Sequence, residues 1–107
     1  MKAIRKNVTV TPKSGFGFSK NGLKEVGCMV LGDIRVTTPS TLSARTWYSF
    51  GTIGTPPVSP SQFACYSPSN GHHCGLMYID ETGDMRFYPI EIYGVNAAFG
   101  ATVVYPV

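Results

Sequence analysis

Trp47-Tyr48-Ser49-Phe50-Gly51-Thr52-Ile53 is followed by Thr55-Pro56-Pro57-Val58-Ser59-Pro60, by the stretches Gln62–Ser67 and Cys74–Asp80 joined through Ser69-Asn70-Gly71-His72, and by Glu81-Thr82-Gly83. An aromatic strand, a proline crossing, two short strands about an Asn-Gly turn and a closing glycine turn form the pattern of a small antiparallel β-sandwich or barrel. Upstream, Leu23–Thr37 places Val26, Cys28, Val30, Ile34 and Val36 on even positions, with Gly32 completing the row. That alternation predicts a long strand with one buried face, bent or bulged at Gly32 and so divisible in two. Two glycines and five β-branched residues in the same span exclude a helix.

Further upstream, Val8 and Val10 alternate with polar partners in a first strand within residues 1–10, which Thr11-Pro12-Lys13-Ser14 ends. Gly15-Phe16-Gly17-Phe18 is extended; without a following Lys-Ser/Thr and helix it is not a phosphate loop. Downstream of Gly83, Met85 and Phe87 point one way and Arg86 and Tyr88 the other. Beyond Pro89 the apolar phase switches to Ile90 and Ile92, which predicts a bend or bulge. The last strand, Ala97–Tyr105, sets Ala97, Phe99, Ala101, Val103 and Tyr105 on one face. Fold class is therefore all-β: one domain over residues 1–107, a small antiparallel β-sandwich or barrel without a helix.

Charged residues make up 14% of the chain, against roughly 25% in an average globular domain. A surface covered instead by Ser, Thr, Gly, Asn and Tyr suits saccharide contact or burial against sister subunits. Lys2, Arg5, Lys6, Lys13, Lys20 and Lys24 all precede residue 25, but they are dispersed. Dispersed lysines solubilise exposed strands and block edge pairing, so no nucleic-acid partner and no membrane insertion are expected. Cys28, Cys65 and Cys74 include no Cys-x-x-Cys, which fits neither a disulfide framework nor a zinc site. With a two-residue Asn70-Gly71 turn, Cys65 faces Leu76 and Cys74 faces Ser67, out of register for a bridge; a longer loop changes this. Free thiols and synthesis in the cytoplasm follow. No apolar run follows the basic N-terminus as in a secretory signal, and nothing approaches the length of a membrane span.

His72-His73-Cys74 is the one cluster with ligand or nucleophile chemistry. Adjacent histidines on a strand point to opposite faces and cannot readily chelate one ion within a chain, though copies paired across a symmetry axis can. No acid with defined spacing completes a triad. Asp80, Glu81 and Asp84 invite a glycosidase or calcium reading. The first needs two carboxyls about 5 Å apart across a cleft, the second more oxygens at regular spacing. No catalytic residue, metal or cofactor is therefore expected. His72 and His73 on the hairpin, with Asp80, Asp84, Arg86 and Tyr88 on nearby strands, are instead suited to hydrogen-bonding a hydroxyl-rich ligand, or else are ordinary solvated hairpin positions. Trp47 is either a core anchor or a platform for such a ligand.

These segments together resemble the C-terminal head domain of phage tail receptor-binding proteins. The resemblance runs over nearly the whole chain: Val30-Leu31-Gly32 and a Ser/Thr-rich connection, Trp47–Ile53, the Pro56-to-Pro60 crossing, Gly75-Leu76-Met77-Tyr78-Ile79, Glu81-Thr82-Gly83 and the closing Ala/Val-rich strand. The crossing keeps the family's prolines but lacks its Tyr-Arg pair. The resemblance implies a jelly-roll-like head, a homotrimer that binds host cell-surface saccharide without chemistry and sits in the virion among other tail and baseplate proteins. His72, His73, Asp80, Asp84, Arg86, Tyr88 and Trp47 are the candidate saccharide contacts. A structural virion component with the same trimeric fold and no glycan is the alternative.

Overall fold

The structure, a computed structural model, describes residues 4–107. It is all-β, with ten antiparallel strands and no helix among the described residues: β1 (Arg5–Asn7), β2 (Val10–Pro12), β3 (Gly17–Asn21), β4 (Lys24–Val26), β5 (Met29–Thr37), β6 (Tyr48–Ile53), β7 (Ser61–Tyr66), β8 (His73–Ile79), β9 (Asp84–Pro89) and β10 (Ala98–Pro106). They form one curled sheet in the order β1-β4-β5-β10-β7-β8-β9-β6-β2, with β3 also paired to β5. β7 and β10 meet only at Tyr66 and Gly100, so the sheet splays there as it curls into a half-barrel. At the other end Phe18 of β3 packs beside Phe50 of β6, drawing the curl together.

The interior is filled by the alternating faces that the sequence pattern marks. Val30, Ile34 and Val36 of β5 face Phe99, Ala101, Val103 and Tyr105 of β10, and Met77, Ile79, Met85 and Phe87 line β8 and β9. Phe87 and Phe99 stack 3.8 Å apart, and Phe50 meets Phe99 edge-on. Thr38, the one buried polar residue among the described residues, donates from Oγ1 to the Gly94 carbonyl and accepts from the Ala97 N–H.

Three expectations change. Leu23–Thr37 is not one strand bent at Gly32 but a hairpin of β4 and β5 turning at Gly27-Cys28. Gly27, at φ +62°, supplies the positive φ that a two-residue hairpin turn demands. Val26 therefore pairs with Met29, which takes it off the Val30 face, and Cys28 is exposed at the tip. The Asn70-Gly71 connection is longer than two residues: the Ser67 N–H reaches the His72 carbonyl, and a bulge between Cys65 and Tyr66 sets Cys65 opposite Gly75. Residues 5–12 form two strands rather than one, with Val8 buried between them; Lys2 and the start of the expected first strand lie outside the described residues. The bend after Pro89 is present, since β9 ends there and Ile90 and Ile92 stand exposed on the following loop.

All three cysteines are free. Burial, followed by the proximity of Cys74, pushes the Cys65 thiol far up from its ordinary value, and burial likewise raises Cys74. Both are neutral thiols at physiological pH and weak nucleophiles.

Candidate functional site

The outward-facing residues of β6, β9 and β8 converge. Glu81-Thr82-Gly83 turns β8 into β9 so that Tyr78 lies opposite Arg86 and Leu76 opposite Tyr88. On the other side of β9, Ser49 of β6 also lies opposite Arg86. Trp47 stands one residue ahead of β6. Its ring is 4.8 Å from that of Tyr88 and 6.0 Å from that of Tyr78. At 42% exposure Trp47 is not a core anchor but part of an open aromatic cluster.

Beside the rings lies a charged network. Arg86 sits over Tyr78, 5.7 Å from the ring centroid, and its Nε donates to Asp84 Oδ2 at 2.7 Å. Ser49 Oγ donates to the same carboxylate at 3.1 Å, and Lys13 Nζ approaches it at 3.3 Å. Asp80 Oδ1 accepts from the Thr82 N–H, the Thr82 hydroxyl and the Asp84 N–H, and Oδ2 lies 3.5 Å from Arg86 Nη2.

The Thr82 hydroxyl and the backbone donors around it hold the Asp80 carboxyl below its ordinary range, against a smaller effect of burial. Burial pushes Asp84 up, but the combined hydrogen bonds of Arg86, Ser49 and Lys13 outweigh it and leave this carboxyl depressed as well. Both acids are ionised at neutral pH. They orient Arg86, and the local charges nearly balance.

Depressed carboxyls link this face to stability. An unfolded Asp titrates near pH 3.9, above both folded values, so the stabilisation is complete above about pH 5 and is lost as pH falls below about 4. Urea midpoints are expected to stay level from neutrality to about pH 5 and then decline. Asp84→Asn should begin less stable and decline less steeply. An acid limb of unchanged slope in that variant counts against the network.

Five of the seven sequence candidates, Trp47, Asp80, Asp84, Arg86 and Tyr88, share this face. His72 and His73 do not join it. They lie at the far end of β8, about 23 Å along the strand from Asp80. There they line a cleft of about 410 Å³ with Ser67, Asn70, Glu91 and Tyr93. His73 Nδ1 bonds the Cys65 carbonyl at 3.0 Å, and the His72 N–H donates to Asn70 Oδ1 at 2.9 Å. No group of three His, Cys, Asp or Glu is placed to hold a metal among the described residues. Tyr78, Ser49 and Lys13 were missed as members. Counting back from the Gly83 turn reaches Tyr78; Ser49 and Lys13 arrive through pairings with no local signal. No family model matches the chain, and no curated protein matches it.

Proposed function

We propose that the chain is a non-catalytic saccharide-recognition head of the phage tail receptor-binding kind. The reading is supported by one observation above all: Trp47, Tyr78 and Tyr88 form an open cluster beside an arginine and carboxylates already oriented by one another. A pyranose ring offers an apolar C–H face for stacking and a rim of hydroxyls for planar, bidentate partners, and Arg86 and Asp84 have that geometry. Because Ser49, Lys13 and Asp80 hold these groups in place, little side-chain freedom remains to be lost on binding. Homotrimeric assembly, host cell-surface glycan and a place in the virion tail beside baseplate proteins enter through the family resemblance.

The test is a glycan array and host-cell adsorption assay on purified protein, with its mass taken by light scattering. Trp47→Ala removes an exposed ring without opening the core, so folding should persist while saccharide affinity drops about tenfold or more, the scale of losing an aromatic anchor. A monomer without host-cell binding refutes the adhesin. A trimer without any glycan, indifferent to Trp47→Ala, favours the structural virion component.

A further inference from the structure

The outward face at the opposite end of the sheet carries three cations, Arg5, Lys24 and Arg35, that form no ion pair among the described residues. Cross-strand register sets two rows side by side: Arg5, Val26, Met29 and Pro106, then Asn7, Lys24, Leu31 and Val104. Beyond them Arg35 lies opposite Lys20 on β3 and opposite Gly100 on β10. Leu31 and Val104, direct cross-strand neighbours, are 43% and 52% exposed. The single carboxylate of this face, Asp33, is already engaged by Thr102 Oγ1 at 2.7 Å and Lys20 at 3.8 Å. Glu25 lies opposite Val30, in register with the buried face, and does not offset Arg5, Lys24 and Arg35. Between Arg5 and Lys24 is a hollow of about 320 Å³ bordered by Gly22, Val26, Leu31 and Gly32.

We propose that this face docks peripherally on an anionic lipid surface. Arg5 and Lys24 would take a headgroup phosphate at the hollow, Arg35 a second, and the Leu31–Val104 strip would rest at headgroup level. Cations along one side and at one end of an aliphatic strip match that surface in both charge and polarity. A free phosphate polymer uses the cations but leaves Leu31 and Val104 in water. Nucleic acid further calls for aromatic side chains at the centre on which bases stack, and the centre is aliphatic. The saccharide face is on the β6–β9–β8 part of the sheet, so docking does not depend on it.

The experiment is co-sedimentation of the full chain with phosphatidylcholine vesicles, with or without about one-third phosphatidylglycerol. Binding is expected only to the anionic vesicles, weakening as salt rises. Lys24→Gln with Arg35→Gln should lower partitioning roughly thirtyfold, at about one kilocalorie's equivalent per cation near the surface. The control is Lys6→Gln with Arg45→Gln, which removes the same net charge from outside the face and should have far less effect. Equal losses from the two pairs overturn the proposal. So does binding to polyphosphate or a thymidine oligonucleotide without binding to vesicles. A change of particle mass in the Lys24/Arg35 pair also overturns it, by making the face an interface between copies.

Discussion

Phe99→Ala is expected to lower stability by about 3–5 kcal/mol, a large share of the roughly 5–15 kcal/mol that holds a domain folded. Phe99 is fully buried and serves four aromatic partners at once. It stacks on Phe87 with an interplanar angle of 4°, and meets Phe50 edge-on at 5.3 Å and Phe16 and Tyr93 at 6.4 Å. Alanine removes the ring from the centre of this set. The surrounding rings are stiff and belong to β6, β9 and the loops flanking β3 and β10, so they cannot readily collapse together. The cavity therefore remains, and its cost adds to the lost transfer energy. Urea denaturation reads the effect directly. Phe63→Ala gives an internal scale, because Phe63 is only half-buried and lies 6.5 Å from Tyr105 at the splayed edge. Similar losses at the two positions would contradict a central role for Phe99.

The stretches that sequence reading placed well are those where local chemistry and long-range structure agree. β9 and β10 alternate in period two, and their inward sets are the buried ones. Glu81-Thr82-Gly83 carries its own turn chemistry, with Asp80 Oδ1 capping the turn and Gly83 at φ +92°. The β4–β5 hairpin was hidden because apolar residues at even positions continue through its tip. Across a two-residue turn the facing parity reverses, so Val26 and Cys28 imitate a strand they do not extend. At the candidate site, Asp84, Arg86 and Tyr88 share a face by alternation alone. Trp47 reaches Tyr88 only through the pairing of β6 with β9, and Lys13 reaches Asp84 across 71 residues of chain. The histidines were drawn into the site because seven residues look close in sequence. In an extended strand they span the length of the sheet.

Gly32→Ala should be at least as damaging as the loss of Phe99, for a different physical reason. Gly32 has φ +142°, where an L side chain is strained whatever space surrounds it. Space is also lacking: a Cβ there would lie 2.2 Å from the Gly22 carbonyl oxygen and 2.9 Å from the Leu23 Cα. Those atoms are backbone, and the backbone is fastened. The Gly22 N–H donates to the Asp33 carbonyl at 2.8 Å, the Leu23 N–H to Asn21 Oδ1 at 3.2 Å, and the Leu23 carbonyl accepts from Val8. Leu23 itself is buried in the core. To admit one methyl group, the segment joining β3 to β4 must lift from β5, breaking contacts that bury Val8 and Leu23. Strain of about 1–3 kcal/mol is thus joined by loss of local packing, and a soluble yield well below wild type is expected. Gly94→Ala is the matched control, since its Cβ would meet nothing within 4 Å and its φ is not positive. That variant should keep the wild-type urea midpoint or exceed it slightly. If Gly32→Ala also keeps it, the close crossing of residues 22–23 over β5 is wrong, and with it the hollow between Arg5 and Lys24 on which lipid docking depends.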